Sequence, residues 1–328
     1  MKIAVFGAGA WGTAIAISLA HRHPVCLWAR DPAHCARLNA ARTNQRYLPG
    51  YAFPSQLQIC DDFAAALRDA DLALIAVATG GLRETLQRIK REPSAPGVIW
   101  LCKGFEPGHA RLPHEVCAEV LGSTRNSGVL SGPSFAQEVA QGLPTAVTVA
   151  SHSSHFARDA AHILHSTAFR VYSSDDLIGV EVAAAMKNVI AIATGISDGL
   201  RYGYNARAAL ITRGLAEVTR LGVALGGRPE TFMGLAGAGD LILTCTGDLS
   251  RNRQVGLKLA GGQPLADILA ELGHVAEGVG TARELYRMAD QMKLDMPITR
   301  AVCRVLNDHG QARAAAEELL QREPRAEV

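Results

Sequence analysis

The sequence predicts an α/β doubly wound sheet over residues 1–178, followed by an all-α domain over residues 179–328. Three observations carry that expectation. Short β-rich runs alternate with helical patterns through the first half, the order that gives βαβ units. A glycine-rich turn separates the first strand from the first helix. Beyond about residue 178, alanine- and leucine-rich helical stretches dominate and no convincing strand remains.

In chain order, Lys2 to Phe6 reads as a strand and Trp11 to Arg22 as a helix. Val25 to Trp28 is a second strand, and the helix after it opens at Asp31-Pro32, an N-cap followed by proline at the first helical position. The stretch Thr43 to Pro54 is expected to be a loop, long for a βα connection and of a length often put to functional use. Leu72 to Val77 is uninterrupted apolar sequence, as in a central strand of a parallel sheet. Val98 to Cys102 and Thr145 to Ala150 are further strands, with a short apolar run at Gly128–Leu130 between them. The helical stretches of the second half are 179–196, 206–225, 250–260, 264–272, 279–292 and 297–308. Residues 323–328 are expected to fray.

The 33 basic and 31 acidic residues give a net charge of +2. No cationic excess marks a nucleic-acid surface, so a phosphate ligand has to be met by local groups. At 328 residues the chain suits two domains and folds without needing a metal or a disulfide. Its seven cysteines are scattered, odd in number and free of any C-x-x-C pair, which fits thiols of a reducing compartment. Met1-Lys2-Ile3 enters an apolar strand at once, so no signal peptide is expected and the location expected is cytoplasmic. Val180 to Ile196 is the longest apolar segment, yet it carries Glu181, Lys187 and Asn188. A buried helix lining a polar site uses such groups, whereas a membrane span tolerates them poorly.

Gly7-Ala8-Gly9-Ala10-Trp11-Gly12 fits G-x-G-x-x-G between a strand and a helix. The glycines allow a tight turn, close backbone approach to a pyrophosphate, and close helix–strand packing. That context points to a Rossmann-type dinucleotide site. After the second strand the chain reads Ala29-Arg30-Asp31-Pro32. Arg30 stands where a ribose 2′-phosphate is paired, while Asp31 is committed to capping the next helix. NADP is therefore expected to serve at least as well as NAD. The alternative is that Arg30 is a solvated surface residue.

Four separated segments bear chemistry. Lys103 follows the strand ending at Cys102, at the carboxyl edge where open α/β sheets bind ligands. Gly132-Pro133-Ser134-Phe135 is a second glycine turn. Lys187-Asn188 lies inside the apolar helix, where an ammonium is costly unless something pairs with it. A desolvated lysine acts as a general acid or base in carbonyl reduction, and the alternative is a lysine snorkelling to the surface. Gly237-Ala238-Gly239-Asp240 leads through Leu241–Thr246 to Ser250-Arg251-Asn252-Arg253. Ser250 reads as an N-cap with two arginines in the first turn, an arrangement that opposes the helix dipole unless an anion sits there. Backbone N–H groups and an arginine fork suit a phosphate; the alternative is an exposed basic turn. His152/His155 and His162/His165 have i, i+3 spacing but no carboxylate at a telling interval, so solvated helix faces, not metal ligands, are expected.

With these residues in hand, the sequence resembles the bacterial NAD(P)-dependent sn-glycerol-3-phosphate dehydrogenase family over roughly residues 2–320. The carriers in the first half are G-A-G-A-W-G-T-A (7–14), C-K-G (102–104), S-G-P-S-F-A-Q-E (131–138) and G-L-P-T-A (142–146). In the second half they are M-K-N-V-I-A-I (186–192), N-A-R-A-A-L-I-T-R-G (205–214), F-M-G-L-A-G-A-G-D-L (232–241), T-C-T (244–246), S-R-N-R (250–253) and E-G (277–278). The resemblance implies reversible hydride transfer between NAD(P)H and dihydroxyacetone phosphate, giving sn-glycerol 3-phosphate for phospholipid backbones. It implies Lys187 as proton donor and acceptor, Asp240 as its orienting partner, and Lys103, Gly132 and Ser134 at the strand ends. Ser250, Arg251 and Asn252 would meet substrate phosphate and cofactor, with Asn188 beside them. Gly7, Gly9, Ala10, Trp11, Gly12, Arg30, Tyr47, Lys103, Ala136, Arg251, Val275 and Glu277 match cofactor-contacting positions. Ser134 stands where members often have Thr, and Ala10 where they often have Ser. Members have a Rossmann-type domain and a helical domain and typically form homodimers. Two rivals compete: a dehydrogenase for a hydroxyacyl or sugar-acid substrate, against which Ser250–Arg253 argues, and a cofactor sensor that has lost catalysis, against which Lys187 and Asp240 argue.

Overall fold

Every residue of Ile3–Phe6 (β1) is buried, so this strand has no polar face to show to water and has to lie at the centre of a sheet covered on both sides. It pairs in parallel with Val25–Trp28 (β2) on one side and, farther along the chain, with Leu72–Ile75 on the other. Between them come a two-stranded antiparallel hairpin, Thr43–Asn44 (β3) and Leu48–Ala52 (β4), and the edge strand Leu57–Cys60 (β5). Leu72–Ile75 is β6; Gly97–Trp100 (β7), Ser127–Ser131 (β8), Thr145–Ala150 (β9) and Phe169–Ser174 (β10) follow.

The eight-stranded sheet has the order β10-β9-β8-β7-β6-β1-β2-β5. The pairing is parallel except between β8 and β9. The chain builds outward from β1 to β2 and β5, then crosses back to β6 and builds the other way. The turn after β1, which begins at Gly7, therefore sits at the topological switch point, where ligands of such sheets bind.

The computed structural model describes residues 1–272, 276–307 and 311–321. They form two units, one of Met1–Glu106 with Arg111–Glu181, the other of Pro107–Ala110 with the chain from Val182 onward. Among the described residues the second unit contains helices and no strand, so the α/β and all-α character read from the sequence both hold.

Several details differ from expectation. Thr43–Pro54 is not a plain loop but the β3–β4 hairpin; Pro49 and Gly50, the latter at φ +90°, interrupt the alternation that signals strands. Strands β5 and β10 give no clear sequence signal, because exposed polar residues break their apolar runs. β6 ends at Ile75, two residues before the expected Val77, where Gly7 packs against the next residue: a Cβ on Gly7 would lie 2.6 Å from the Ala76 carbonyl oxygen. Leu241–Thr246 is helical rather than a connector, within the helix Asp240–Thr246. His152 precedes the helix Ser154–Leu164 and is not on it.

In the helical unit, the 23-residue helix Leu177–Gly199 is the one described helix long and apolar enough to cross a membrane, and 94% of its most apolar stretch is buried inside the protein. Its packing is close. A Cβ on Gly214, in the helix Gly203–Ala224, would lie 2.5 Å from Ile190. The helix Pro297–Asn307 has its N-terminus capped by a distant carboxylate: buried Glu217 accepts from the Ile298 and Thr299 N–H groups at 2.6 and 3.1 Å and from the Thr299 hydroxyl at 2.7 Å.

Candidate active site

In the α/β unit the candidate residues gather on the glycine turn. Gly7 takes φ +117° and donates its N–H to the Trp28 carbonyl at 3.1 Å. A Cβ on Gly12 would lie 1.9 Å from the Gly7 oxygen, so this glycine is demanded by helix–turn packing. Gly9 is different: its backbone is ordinary extended, and an added Cβ would meet no protein atom within 4 Å. Nothing among the described residues requires glycine there. Gly9 also starts the helix Ala10–Ala20 with no side-chain cap, leaving its first N–H groups for an external acceptor. A dinucleotide pyrophosphate fits both facts, since it needs close backbone approach and free N–H groups.

Ala10 and Trp11 open that helix, half-buried. Arg30 is exposed just past β2, and Asp31 caps the helix Pro32–Ala41 by accepting from Ala33 N–H at 3.0 Å. Tyr47 is half-buried at the hairpin. A residue the sequence reading missed holds the hairpin against the turn. Buried Asn44 donates to the Ala8 carbonyl at 3.0 Å and the Thr13 hydroxyl at 2.8 Å, and its Oδ1 accepts from Tyr47 N–H at 3.2 Å. Its only sequence signal was a polar residue at the start of a stretch without periodicity.

Lys103 follows the carboxyl end of β7 and precedes Gly104, which takes φ +141°. Gly132 follows β8 with φ +143°, and a Cβ there would lie 2.9 Å from the Val147 Cα. The Ser134 hydroxyl donates to the Gly132 carbonyl at 2.9 Å, and Ala136 begins the helix Ala136–Gln141.

In the helical unit, Lys187 does not snorkel. Its ammonium lies 2.5 Å from Asp240 Oδ1 and donates to the Thr244 hydroxyl at 3.0 Å, with Lys187 and Asp240 both buried. Thr244 donates in turn to the Asp240 carbonyl at 2.6 Å. A π-helical turn, Leu235–Gly239, feeds straight into the helix Asp240–Thr246, so the helical backbone runs on through Asp240 and fixes the direction of its carboxylate. Thr244, four residues on, shares its face. Thr244 stands in the T-C-T motif (244–246), and its role comes from a partner 57 residues away, Lys187, that local pattern does not reveal. Burial pushes the neighbouring Cys245 thiol up to about 12.

Ser250 caps the helix Arg251–Ala260, its hydroxyl accepting from Arg253 N–H at 3.3 Å. Arg251 is exposed. Buried Asn252 donates to Asn188 Oδ1 at 2.9 Å and accepts from Gly278 N–H at 3.1 Å, which ties the helix start to the Lys187 helix and to the helix Glu277–Gln291. Glu277 is half-buried at the first position of the latter. Val275 lies outside the described residues. The expectation of two arginines awaiting an anion is corrected in part. Arg253 is buried and already held by Asp198 and Asp248, each at 2.8 Å, so Arg251 alone of the pair is left for an external one. Among the described residues no group of three or more His, Cys, Asp or Glu forms a metal cage.

Two family models match, described as the N-terminus and the C-terminus of NAD-dependent glycerol-3-phosphate dehydrogenase, over residues 2–157 and 176–317. The glycerol-3-phosphate dehydrogenase [NAD(P)+] of Thiobacillus denitrificans is 57% identical over 327 residues, covering 100% of both chains. Among solved structures, a glycerol-3-phosphate dehydrogenase from Coxiella burnetii has 44% identity and a TM-score of 0.94, covering 98% of this chain and 99% of that one. The Saccharomyces cerevisiae glycerol-3-phosphate dehydrogenase follows at 28% identity and a TM-score of 0.82, with 98% and 99% coverage. A ketopantoate reductase from Ralstonia eutropha, 17% identical with a TM-score of 0.59, shares the fold alone.

Proposed function

The chain belongs to the NAD-dependent glycerol-3-phosphate dehydrogenase family, and from that premise we propose how its residues divide the reaction. The protein is an NAD(P)-dependent oxidoreductase that interconverts dihydroxyacetone phosphate and sn-glycerol 3-phosphate, and it serves phospholipid backbone synthesis. Residues 1–178 form the cofactor domain and 179–328 the substrate and catalytic domain. The enzyme works in the cytoplasm as a homodimer.

When bound, the nicotinamide supplies the hydride for the substrate carbonyl carbon. Gly7, Gly9 and Gly12 receive the cofactor pyrophosphate on the uncapped helix start, beside Ala10, Trp11, Tyr47 and Ala136. Arg30 pairs a ribose 2′-phosphate, so NADP serves at least as well as NAD. Lys103, Gly132 and Ser134 present polar groups at the strand ends to substrate and cofactor. Arg251, Asn252 and the N–H groups after Ser250 grip the substrate phosphate, and Val275 and Glu277 match the family's cofactor-contacting positions. Lys187 gives a proton to the carbonyl oxygen in reduction and takes it back in oxidation. Asp240 and Thr244 hold its Nζ in place and keep the buried charge compensated.

The observation that carries this reading is the buried Lys187 ammonium fixed by Asp240 and Thr244, in the unit whose Asn188–Asn252 bond ties the same helix to an open phosphate grip. The test is oxidation of NADPH and of NADH, at matched concentrations, with dihydroxyacetone phosphate and with unphosphorylated dihydroxyacetone. Fast oxidation that depends on the phosphate is expected, with NADPH at least as good as NADH. Cofactor binding without oxidation of either would overturn the assignment, and a strong NADH preference would remove the role given to Arg30.

A further inference from the structure

Near the far end of the Lys187 helix stands a carboxylate that the reaction chemistry does not use. Asp198 is mostly buried, and its two oxygens are divided between two arginines: Oδ1 accepts from Arg207 Nε at 2.8 Å, and Oδ2 from Arg253 Nε at 2.9 Å. Arg253 comes directly after Asn252 in the phosphate-gripping helix start. Its side chain is 9% exposed, and the guanidinium is turned onto Asp198 and Asp248.

The two helices carrying these groups meet backbone to backbone. A Cβ on Gly195 would lie 2.1 Å from the Arg253 carbonyl oxygen, and one on Gly256 would lie 2.1 Å from the Ile192 oxygen. A Cβ on Gly199 would lie 2.5 Å from that of Ala260. Small residues on both sides let the helices approach this closely, and a close-packed seam resists sliding. The helix start is thus tied to the Lys187 helix at two heights, Asn252 to Asn188 and Arg253 to Asp198, about three turns apart along the helix.

We infer that Asp198 is a positioning residue that, through Arg253, sets where the substrate phosphate is held relative to the Lys187 ammonium. The inference rests on the reading of Ser250–Asn252 as the phosphate grip. Asp198 does this by charge as well as by packing. With Arg253 neutralised internally, the phosphate is received by Arg251, Asn252 and the helix N–H groups. Remove the Asp198 charge, and the Arg253 guanidinium, left with the exposed Asp248 alone, is able to turn and compete for the dianion. The phosphate still binds, but in a place from which the carbonyl oxygen misses Lys187.

The experiment is Asp198→Asn in the full chain, assayed at saturating NADPH with dihydroxyacetone phosphate and, at high concentration, with dihydroxyacetone. Expected is a fall in kcat of up to roughly 100-fold on the phosphorylated substrate, the size of effect a 1 Å misplacement produces, with no rise in its KM. Turnover of dihydroxyacetone, which has no phosphate to be placed, changes less than about threefold, and Asp198→Glu recovers part of the loss. In combination with Arg253→Gln, Asp198→Asn adds no further loss, because the two act as one unit. An equal loss on both substrates makes Asp198 merely structural, and unchanged kcat on the phosphorylated one removes it from the reaction; either overturns the inference. Arg251→Ala tests the grip separately: it raises KM for dihydroxyacetone phosphate but not for dihydroxyacetone. If it does not, the grip reading fails whatever Asp198 does.

Discussion

Lys187 Nζ and Asp240 Oδ1 stand 2.5 Å apart although 53 residues separate them in the chain. The pair is buried, and the carboxylate and the Thr244 hydroxyl that the fold brings to the ammonium offset the cost of burying it.

Two substitutions separate the chemical role of this pair from its structural role. Lys187→Ala should lower turnover by at least ~100-fold, the size of a general acid–base contribution, while the cofactor dissociation constant stays nearly unchanged. Asp240→Asn removes the carboxylate from a buried ammonium and should cost about 3–5 kcal/mol in urea unfolding. A Lys187→Met/Asp240→Asn double variant should recover part of that loss, since the uncompensated charge is gone. If Asp240→Asn unfolds at the wild-type urea concentration, the carboxylate is not what compensates Lys187.

Gly9 and Gly12 should respond oppositely to alanine. At Gly12 the new Cβ collides with the Gly7 oxygen, so Gly12→Ala should destabilise by about 1–3 kcal/mol, the usual cost of overpacking. At Gly9 the Cβ enters open space. Stability of Gly9→Ala should stay within about 1 kcal/mol of wild type, the cost of alanine at an N-cap. Its NADPH dissociation constant should rise about tenfold or more, which corresponds to ~1.4 kcal/mol of lost binding. Unchanged cofactor binding in Gly9→Ala, read by fluorescence titration, would mean that the dinucleotide does not approach this backbone.

His114 and Glu181 supply a pH dependence of stability. His114 Nδ1 lies 2.5 Å from Glu181 Oε2, and the His114 N–H donates to Oε1 at 3.0 Å. Burial pulls the imidazole down, but the Glu181 carboxylate, with Glu115 nearby, more than offsets this and holds it above its usual 6.5. The ring of His152, 5.5 Å away, is itself held low by burial and by His114. The native state therefore binds the His114 proton more tightly than the unfolded chain does. That contribution is complete below about pH 6.5 and is lost as pH rises through the raised native value. Urea midpoints of wild type and His114→Gln, measured from about pH 6 to about pH 9, should converge as pH rises. A constant gap between the two curves would show that the pair binds no extra proton.

The sequence by itself determined whatever depends on neighbours along the chain. Alternating apolar runs and helical periods set the α/β and all-α halves, because burial of one face is a local pattern. The G-x-G-x-x-G turn and the Asp31 and Ser250 caps were legible for the same reason, each requiring its residue type within a few positions. Lys187 announced that it needed a partner, since an ammonium in an apolar helix is costly whatever the fold.

Only the tertiary structure decided who the partners are. Asp240 reaches Lys187, Glu217 caps a helix 81 residues away, and Asn44 braces a glycine turn from a hairpin hidden by Pro49 and Gly50. Arg253, which the sequence offered to an external anion, is instead taken by Asp198 from 55 residues away. A pattern of residue types fixes the demand for a hydrogen bond or a counter-charge. Which group meets it depends on which helices pack within reach, and backbone contacts such as Gly195 on Arg253 leave no trace in local periodicity.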